Sequence, residues 1–193
     1  IDLSASTAGT YTVSYLTSSN TCAVTGTFDV TITDDEDGTF TYAATEYCKS
    51  GSNPTPTVTG TTGGTFSSTA GLSINASTGE INIAASTAGT YTVSYLTSSN
   101  LCAVTGTFDV TITDDEDGTF TYASAEYCVS GSDPTPTVTG TTGGTFSSTT
   151  GLSINSSTGE IDLSASTAGT YTVSYLTSSN TCAVTGTFDV TVT

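Results

Sequence analysis

Thr90-Tyr91-Thr92-Val93-Ser94-Tyr95 alternates small polar and large apolar residues over six positions. Side chains along a strand point to opposite faces in turn, so Tyr91, Val93 and Tyr95 share one face and the hydroxyl residues the other. The same six residues stand at 10–15 and 170–175. Ala88-Gly89 leads into the stretch and Ser98-Ser99-Asn100 turns the chain after it. Cys102 to Thr113 then returns as a long strand, with Phe108, Val110 and Ile112 on the core face and Gly106 as a predicted bulge.

The chain before this hairpin reads as more short strands. Thr39-Phe40-Thr41-Tyr42-Ala43 alternates with period two, and Glu46 to Pro54 breaks the pattern with turn formers. Thr55-Pro56-Thr57-Val58-Thr59 suits an edge, because Pro56 cannot donate to a ladder. Gly60 to Gly64 turns the chain into Thr65-Phe66-Ser67. Leu72-Ser73-Ile74 and Glu80-Ile81-Asn82-Ile83 form a hairpin around Asn75-Ala76-Ser77-Thr78-Gly79. Seven strands with frequent turn signals, and no 3.6-residue periodicity, predict an all-β fold of immunoglobulin-like sandwich type.

The pattern repeats. Asp34-Asp35-Glu36-Asp37-Gly38 returns as Asp114-Asp115-Glu116-Asp117-Gly118, an offset of 80 that holds throughout. Residues 34–113 and 114–193 align without a gap and differ at 11 of 80 positions, among them Lys49/Val129, Asn53/Asp133 and Leu101/Thr181. Residues 1–33 match 161–193 except at Ile32/Val192. The expected organisation is therefore tandem: 1–33 closes one repeat, and 34–113 and 114–193 are complete ones. A period of 80 is too long for a solenoid unit and suits a small sandwich. The chain reads as cut from a longer array.

Eighteen acidic residues against one basic residue and no histidine give a formal charge of −17. Nothing here could neutralise phosphates, so nucleic acid and anionic membrane surfaces are excluded as partners. No apolar run approaches the ~20 residues of a membrane span, and no signal peptide is present; an export signal is expected upstream. The abundance of Thr, Ser and Gly, without Met or Trp, resembles exported surface proteins more than cytosolic enzymes. With no histidine or arginine, no serine has a base to activate it. A Glu46/Glu80 carboxylate pair is formally available, but near-perfect repetition argues against one defined active site. No catalytic residue and no enzyme are expected.

Eight of the 18 acids sit in the two joints, as Asp34, Asp35, Glu36 and Asp37 and as Asp114, Asp115, Glu116 and Asp117. Adjacent carboxylates repel unless a cation or full solvation relieves them. Oxygen donors without imidazole or thiolate suit Ca²⁺, so these eight are candidate calcium ligands, with Asp29 or Glu80 as further donors. The distal bidentate glutamate of a calcium loop is missing. The plainer reading is a solvated charge run that keeps neighbouring repeats apart.

The five cysteines occupy two repeat positions: Cys22, Cys102 and Cys182 before the last strand, and Cys48 and Cys128 after the first. Two bonds and one leftover are expected, and spacing leaves the connectivity open. Bonds within a repeat would be Cys48–Cys102 and Cys128–Cys182. Bonds across a joint would be Cys22–Cys48 and Cys102–Cys128; Cys22 and Cys48 are equidistant from Asp35, as a hairpin folded there would require. Reduced, buried cysteines are the third arrangement.

Gly71-Leu72-Ser73-Ile74-Asn75-Ala76-Ser77-Thr78-Gly79-Glu80-Ile81, followed by Ser86-Thr87-Ala88-Gly89-Thr90-Tyr91-Thr92-Val93, resembles a widespread bacterial Ig-like repeat. Tyr47-Cys48 with Ser52-Asn53-Pro54-Thr55-Pro56-Thr57-Val58-Thr59-Gly60 narrows the likeness. Together they resemble repeats of giant cell-surface adhesins of the Bacteroidetes, the type associated with gliding motility and type IX secretion. The resemblance spans the whole chain. It implies an extracellular, cell-surface location and a self-sufficient domain holding both cysteine positions, which favours Cys48–Cys102 and Cys128–Cys182. In that family the joint usually begins with two aspartates; Glu36 and Asp37 make this one more acidic.

Three functions follow as expectations. The first is a structural or adhesive stalk whose partners are neighbouring repeats of the same chain, with lateral self-association into fibres. The second is a surface-polysaccharide-binding module acting by avidity, with Tyr42, Tyr47 and Tyr95 as candidate stacking residues. The third is ice binding through flat threonine ladders.

Overall fold

A computed structural model describes residues 1–18, 21–99, 101–178 and 181–193. Among them the chain is all-β, with no helix and sixteen strands. The first two, β1 (Gly9–Leu16) and β2 (Thr25–Ile32), lie in residues 1–33. Residues 34–113 hold β3 (Phe40–Thr41), β4 (Glu46–Cys48), β5 (Thr57–Val58), β6 (Thr65–Ser68), β7 (Gly89–Leu96) and β8 (Thr105–Thr113). Residues 114–193 hold β9 (Phe120–Thr121), β10 (Glu126–Tyr127), β11 (Thr137–Val138), β12 (Thr145–Ser148), β13 (Ser153–Ile154), β14 (Ile161–Asp162), β15 (Gly169–Leu176) and β16 (Thr185–Val192). The described residues form two compact units. One comprises Ile1–Ala43, Pro54–Asn82 and Tyr91–Asp109; the other comprises Ala44–Asn53, Ile83–Thr90 and Val110–Thr193.

The second unit shows the immunoglobulin-like sandwich most fully. One layer is a four-stranded sheet in the order β10-β16-β15-β12, and small pairs β11-β9 and β13-β14 supply the rest. Strands β15 and β16 are antiparallel from Gly169↔Val192 to Leu176↔Thr185. Their alternation puts Tyr171, Val173, Tyr175, Val190 and Val192 into one core with Phe120, Tyr122, Phe146, Leu152, Ile161 and Leu163. Phe120 meets Phe146 edge-on at 5.4 Å, and Phe146 lies 4.6 Å from Tyr175, ring centre to ring centre. Outward-facing Thr172 donates to the Asp189 carboxylate at 2.7 Å, a cross-strand pair on the wet face.

In the first unit β6 pairs antiparallel with β7 through Phe66↔Tyr95, and β3 with β5. Phe40, Tyr42, Phe66, Leu72, Ile81, Tyr91, Val93 and Tyr95 are buried. Hairpin β1–β2 has the same one-for-one register, from Gly9↔Ile32 to Leu16↔Thr25. Most of its core-facing residues are nevertheless open, with only Val30 and Ile32 half-buried: Tyr15 is 71% exposed where Tyr175 is 1%, and Phe28 is 73% exposed. The strands that cover Tyr175 are provided by residues 120–148, and residues 1–33 contain no counterpart of them.

Local readings of the sequence hold in some places and fail in others. Asn75 builds the expected turn: its side chain accepts from Ser77 N at 2.9 Å and Thr78 N at 3.1 Å. Gly79 there has φ +72°, and a Cβ would stand 2.5 Å from Pro56 Cγ. The flanking strands shrink to one bridge, Ile74↔Ile81, in this copy, and to β13 and β14 in the next. The bulge predicted at Gly106 has no counterpart at Gly186, which pairs with Tyr175 in an unbroken ladder. Glycine is required for a different reason: a Cβ on Gly186 would lie 1.9 Å from the Gly118 carbonyl, and one on Gly106 equally close to Gly38. Strands β4 and β10 fall where the sequence reads as turn. They are two or three residues long and pair in parallel with distant strands, so no local periodicity marks them.

Candidate functional site at the repeat joint

The joint at Asp114–Asp117 is built from both sides. Strand β4 runs parallel to the end of β8, with Glu46↔Thr111, Tyr47↔Ile112 and Cys48↔Thr113. Lys49 N donates to Thr113 O at 3.0 Å and locks that register. Cys48 therefore sits beside the last residue before the acidic stretch. From the other side, Glu116 N donates to Cys182 O at 3.1 Å. The two cysteines meet, with Cα atoms 5.4 Å apart, and form the disulfide Cys48–Cys182.

This pairing differs from both arrangements weighed from spacing and from the Cys48–Cys102 and Cys128–Cys182 bonds that the resemblance favoured. The second repeat shows why a bond within a repeat is out of reach. Cys128 is flanked by Tyr127, whose carbonyl accepts from Thr193 N at 2.9 Å, and Val129, whose N–H donates to Thr193 O at 2.9 Å. It is thereby fixed at the far end of β16, whereas Cys182 precedes the start of that strand. Eight strand residues at about 3.3 Å each separate the two positions by roughly 26 Å. The cross-joint alternatives do not form either: Cys48 is bonded to Cys182, which excludes Cys22–Cys48, and Cys102 and Cys128 are both thiols. The tie does cross the joint, but between the two other cysteine positions.

Hydrogen bonds surround the disulfide. Ser50 Oγ donates to Asp115 Oδ1 at 2.8 Å. Glu46 uses both carboxylate oxygens, accepting from Thr113 Oγ1 at 2.8 Å and from Thr181 Oγ1 at 3.3 Å. Lys49, the one basic side chain, donates from Nζ to the carbonyls of Ile83 and Ser86. Cys182 is 3% exposed.

The joint acids serve separate local duties. Asp37 Oδ1 accepts from Thr39 N at 2.9 Å and from the Thr39 hydroxyl. Those two donors hold its carboxyl below the ordinary aspartate range, the hydroxyl contributing most. Asp117 repeats this with Thr119. The Asp37 carbonyl accepts from Thr61 N at 2.7 Å, and Glu36 Oε2 accepts from Ser99 N at 3.0 Å. Asp29, expected as a further metal donor, accepts from Thr12 Oγ1 at 2.7 Å. Among the described residues no three carboxylates of either joint come within reach of one ion. The single group of three candidate donors is Cys48, Asp115 and Cys182, and two of these are consumed by the disulfide.

The tyrosines singled out for stacking are structural. Tyr42 is buried and donates to Gly79 O. Tyr95, also buried, donates to Thr61 O and accepts from Gly64 N, both at 2.8 Å. Half-buried Tyr47 accepts from Ala44 N at 2.9 Å. Beside each joint lies an open depression of about 300 Å³, lined in one repeat by Asp37, Thr39, Val104 and Thr107 and in the next by Glu116, Asp117, Thr119 and Thr187.

The fold so built is a tandem all-β sandwich of immunoglobulin-like type. No protein-family model and no curated relative matches the sequence. Among solved structures it is similar to a SusE-like surface-located polysaccharide-binding protein from the heparin utilisation locus of Bacteroides thetaiotaomicron. That match has 14% identity and a TM-score of 0.36, covering 86% of this chain and 35% of the other. It is similar also to repeats EC22–24 of mouse cadherin-23, with 14% identity and a TM-score of 0.36, covering 95% of this chain and 74% of that one. A protocadherin gammaB7 structure of repeats EC3–6 matches at 12% identity and a TM-score of 0.37, covering 95% and 59%. No helix among the described residues is long and apolar enough to cross a membrane.

Proposed function

We propose that this chain is a segment of a tandem Ig-like stalk of an extracellular bacterial surface protein, of the kind found in Bacteroidetes adhesins. Residues 34–113 and 114–193 are its complete modules and 1–33 the closing strands of another. The observation that carries this reading is the Cys48–Cys182 bond, which ties consecutive copies of the repeat across their joint. A covalent tie resists separation under load, and a disulfide persists in an oxidising, extracellular setting. The sequence has no histidine or arginine to activate a nucleophile, which suits a mechanical role. Small-angle scattering on chains of increasing repeat number tests it: maximum dimension should grow in proportion to repeat number, and a dimension that levels off would count against a stalk. The same measurement in chelator and in millimolar Ca²⁺ tests the calcium reading, which rests on charge alone.

A second reading, weak polysaccharide binding by avidity, is favoured by the depression that recurs beside both joints. Glycan binding that strengthens steeply with repeat number and falls on Thr119→Ala with Thr187→Ala supports it; equal, negligible binding by short and long chains removes it.

A further inference from the structure

Two other cysteines sit in halves of the seat that Cys48 and Cys182 fill. Cys102 occupies the Cys182 half: Glu36 N donates to Cys102 O at 3.1 Å, as Glu116 N does to Cys182 O. Its Sγ lies 3.5 Å from Thr33 Oγ1, and Thr33 is the repeat counterpart of Thr113, the residue that Cys48 faces. Cys128 occupies the Cys48 half, between two hydrogen bonds to Thr193 and with Sγ 4.0 Å from Thr193 Oγ1. Both are thiols in this structure, Cys102 half-buried and Cys128 exposed. In each the backbone frame is complete, and what is missing is the cysteine that a neighbouring copy of the repeat would bring.

We infer that Cys102 and Cys128 are half-sites for further copies of this repeat, so that every joint of an array is closed by one disulfide. Cys128 takes the Cys182-type residue of a following copy, and Cys102 takes the Cys48-type residue of a preceding one. The seat, and not thiol exposure, selects the partner, because registration at Thr113, Thr33 or Thr193 delivers the sulfur to one place. Each closure forms one S–S bond and removes two protons and two electrons. The acceptor is a small disulfide oxidant such as oxidised glutathione, which is itself cleaved to two thiols. The inference extends the stalk reading: ties between consecutive repeats would make the array one covalent ladder, with no repeat held to the next by the main chain alone. The half-sites differ from the filled seat at two flanking residues: Leu101 stands where Thr181 donates to Glu46, and Val129 where Lys49 donates to the carbonyls of Ile83 and Ser86. Those changes remove side-chain hydrogen bonds around the seat and leave its backbone frame in place.

The test uses the full chain with a second copy of residues 114–193 appended, oxidised in a glutathione redox buffer and mapped without reduction. The expected product is two hydrogens lighter than the same chain with one disulfide. It yields two linked peptides, Cys48–Cys182 and Cys128 with the appended copy of Cys182. Cys128→Ser should lose the second peptide and keep the first. The Cys48–Cys182 peptide reports that the joint has folded in every sample. Recovery of Cys128 as an alkylated thiol, or linked to Cys102, beside an intact Cys48–Cys182 peptide overturns the inference. Scattering on the same sample separates this from the stalk: a lengthened particle with Cys128 still a thiol sinks the ladder alone, and a linked Cys128 in an unlengthened particle sinks the stalk alone.

Discussion

Opening the Cys48–Cys182 bond should destabilise the second unit by as much as the loss of a large core side chain. The bond closes a loop with a sequence separation of 134. Chain entropy for a loop of that length amounts to about 17 cal/mol/K, or about 5 kcal/mol at 25 °C, removed from the unfolded ensemble. At about 2–4 °C per kcal/mol for a chain of this size, the melting midpoint of reduced protein should fall by about 10–20 °C. Calorimetry with and without a phosphine reductant reads the shift, with alkylation and mass spectrometry confirming reduction. Cys182→Ser should melt near the reduced wild type and be insensitive to reductant, whereas Cys128→Ser should behave as oxidised wild type. A wild-type midpoint unmoved by verified reduction, or a Cys182→Ser protein that still responds to reductant, would refute the placement of the tie.

Leu163→Ala removes a fully buried side chain from the core of the second unit and should cost about 2–5 kcal/mol, while Leu176→Ala, at a position 47% exposed, should stay within about 0.5 kcal/mol; urea titration compares them. Gly186→Ala drives a Cβ against the Gly118 carbonyl and should cost, by the same titration, well over the ~0.5 kcal/mol expected of a surface change, whereas Gly26→Ala, with nothing within 4 Å, should not. Asp117→Ala tests the turn at the joint. The folded-state pKa lies below the ordinary 3.8 because Thr119 donates to the carboxylate, so its contribution is present above about 3.8 and lost as pH falls through the folded value. The stability gap between wild type and variant should be open at pH 7 and close below pH 3.8; a gap independent of pH would remove the carboxylate from the argument.

What the sequence alone determined is everything that depends on short-range periodicity or on copying. Thr90 to Tyr95 alternates, and Tyr91, Val93 and Tyr95 are buried in the face it assigns. Asn75 and Gly79 specify their turn because an amide acceptor and a positive φ are local demands. The acidic joint was legible as a place, by charge density. Its chemistry was not: carboxylates adjacent in sequence point to different donors, Asp37 to Thr39 and Glu36 to Ser99, and only the folded chain reveals that they diverge. The disulfide shows the same division. Both cysteine positions were visible, but their pairing depends on β4 running parallel to β8, a three-residue match between segments more than sixty positions apart. Such a match leaves no periodic trace, since neither segment carries the information by itself. Tertiary structure chose Cys182 for Cys48 because registration at Thr113 brings those two sulfurs, and no other pair of the described residues, within bonding distance.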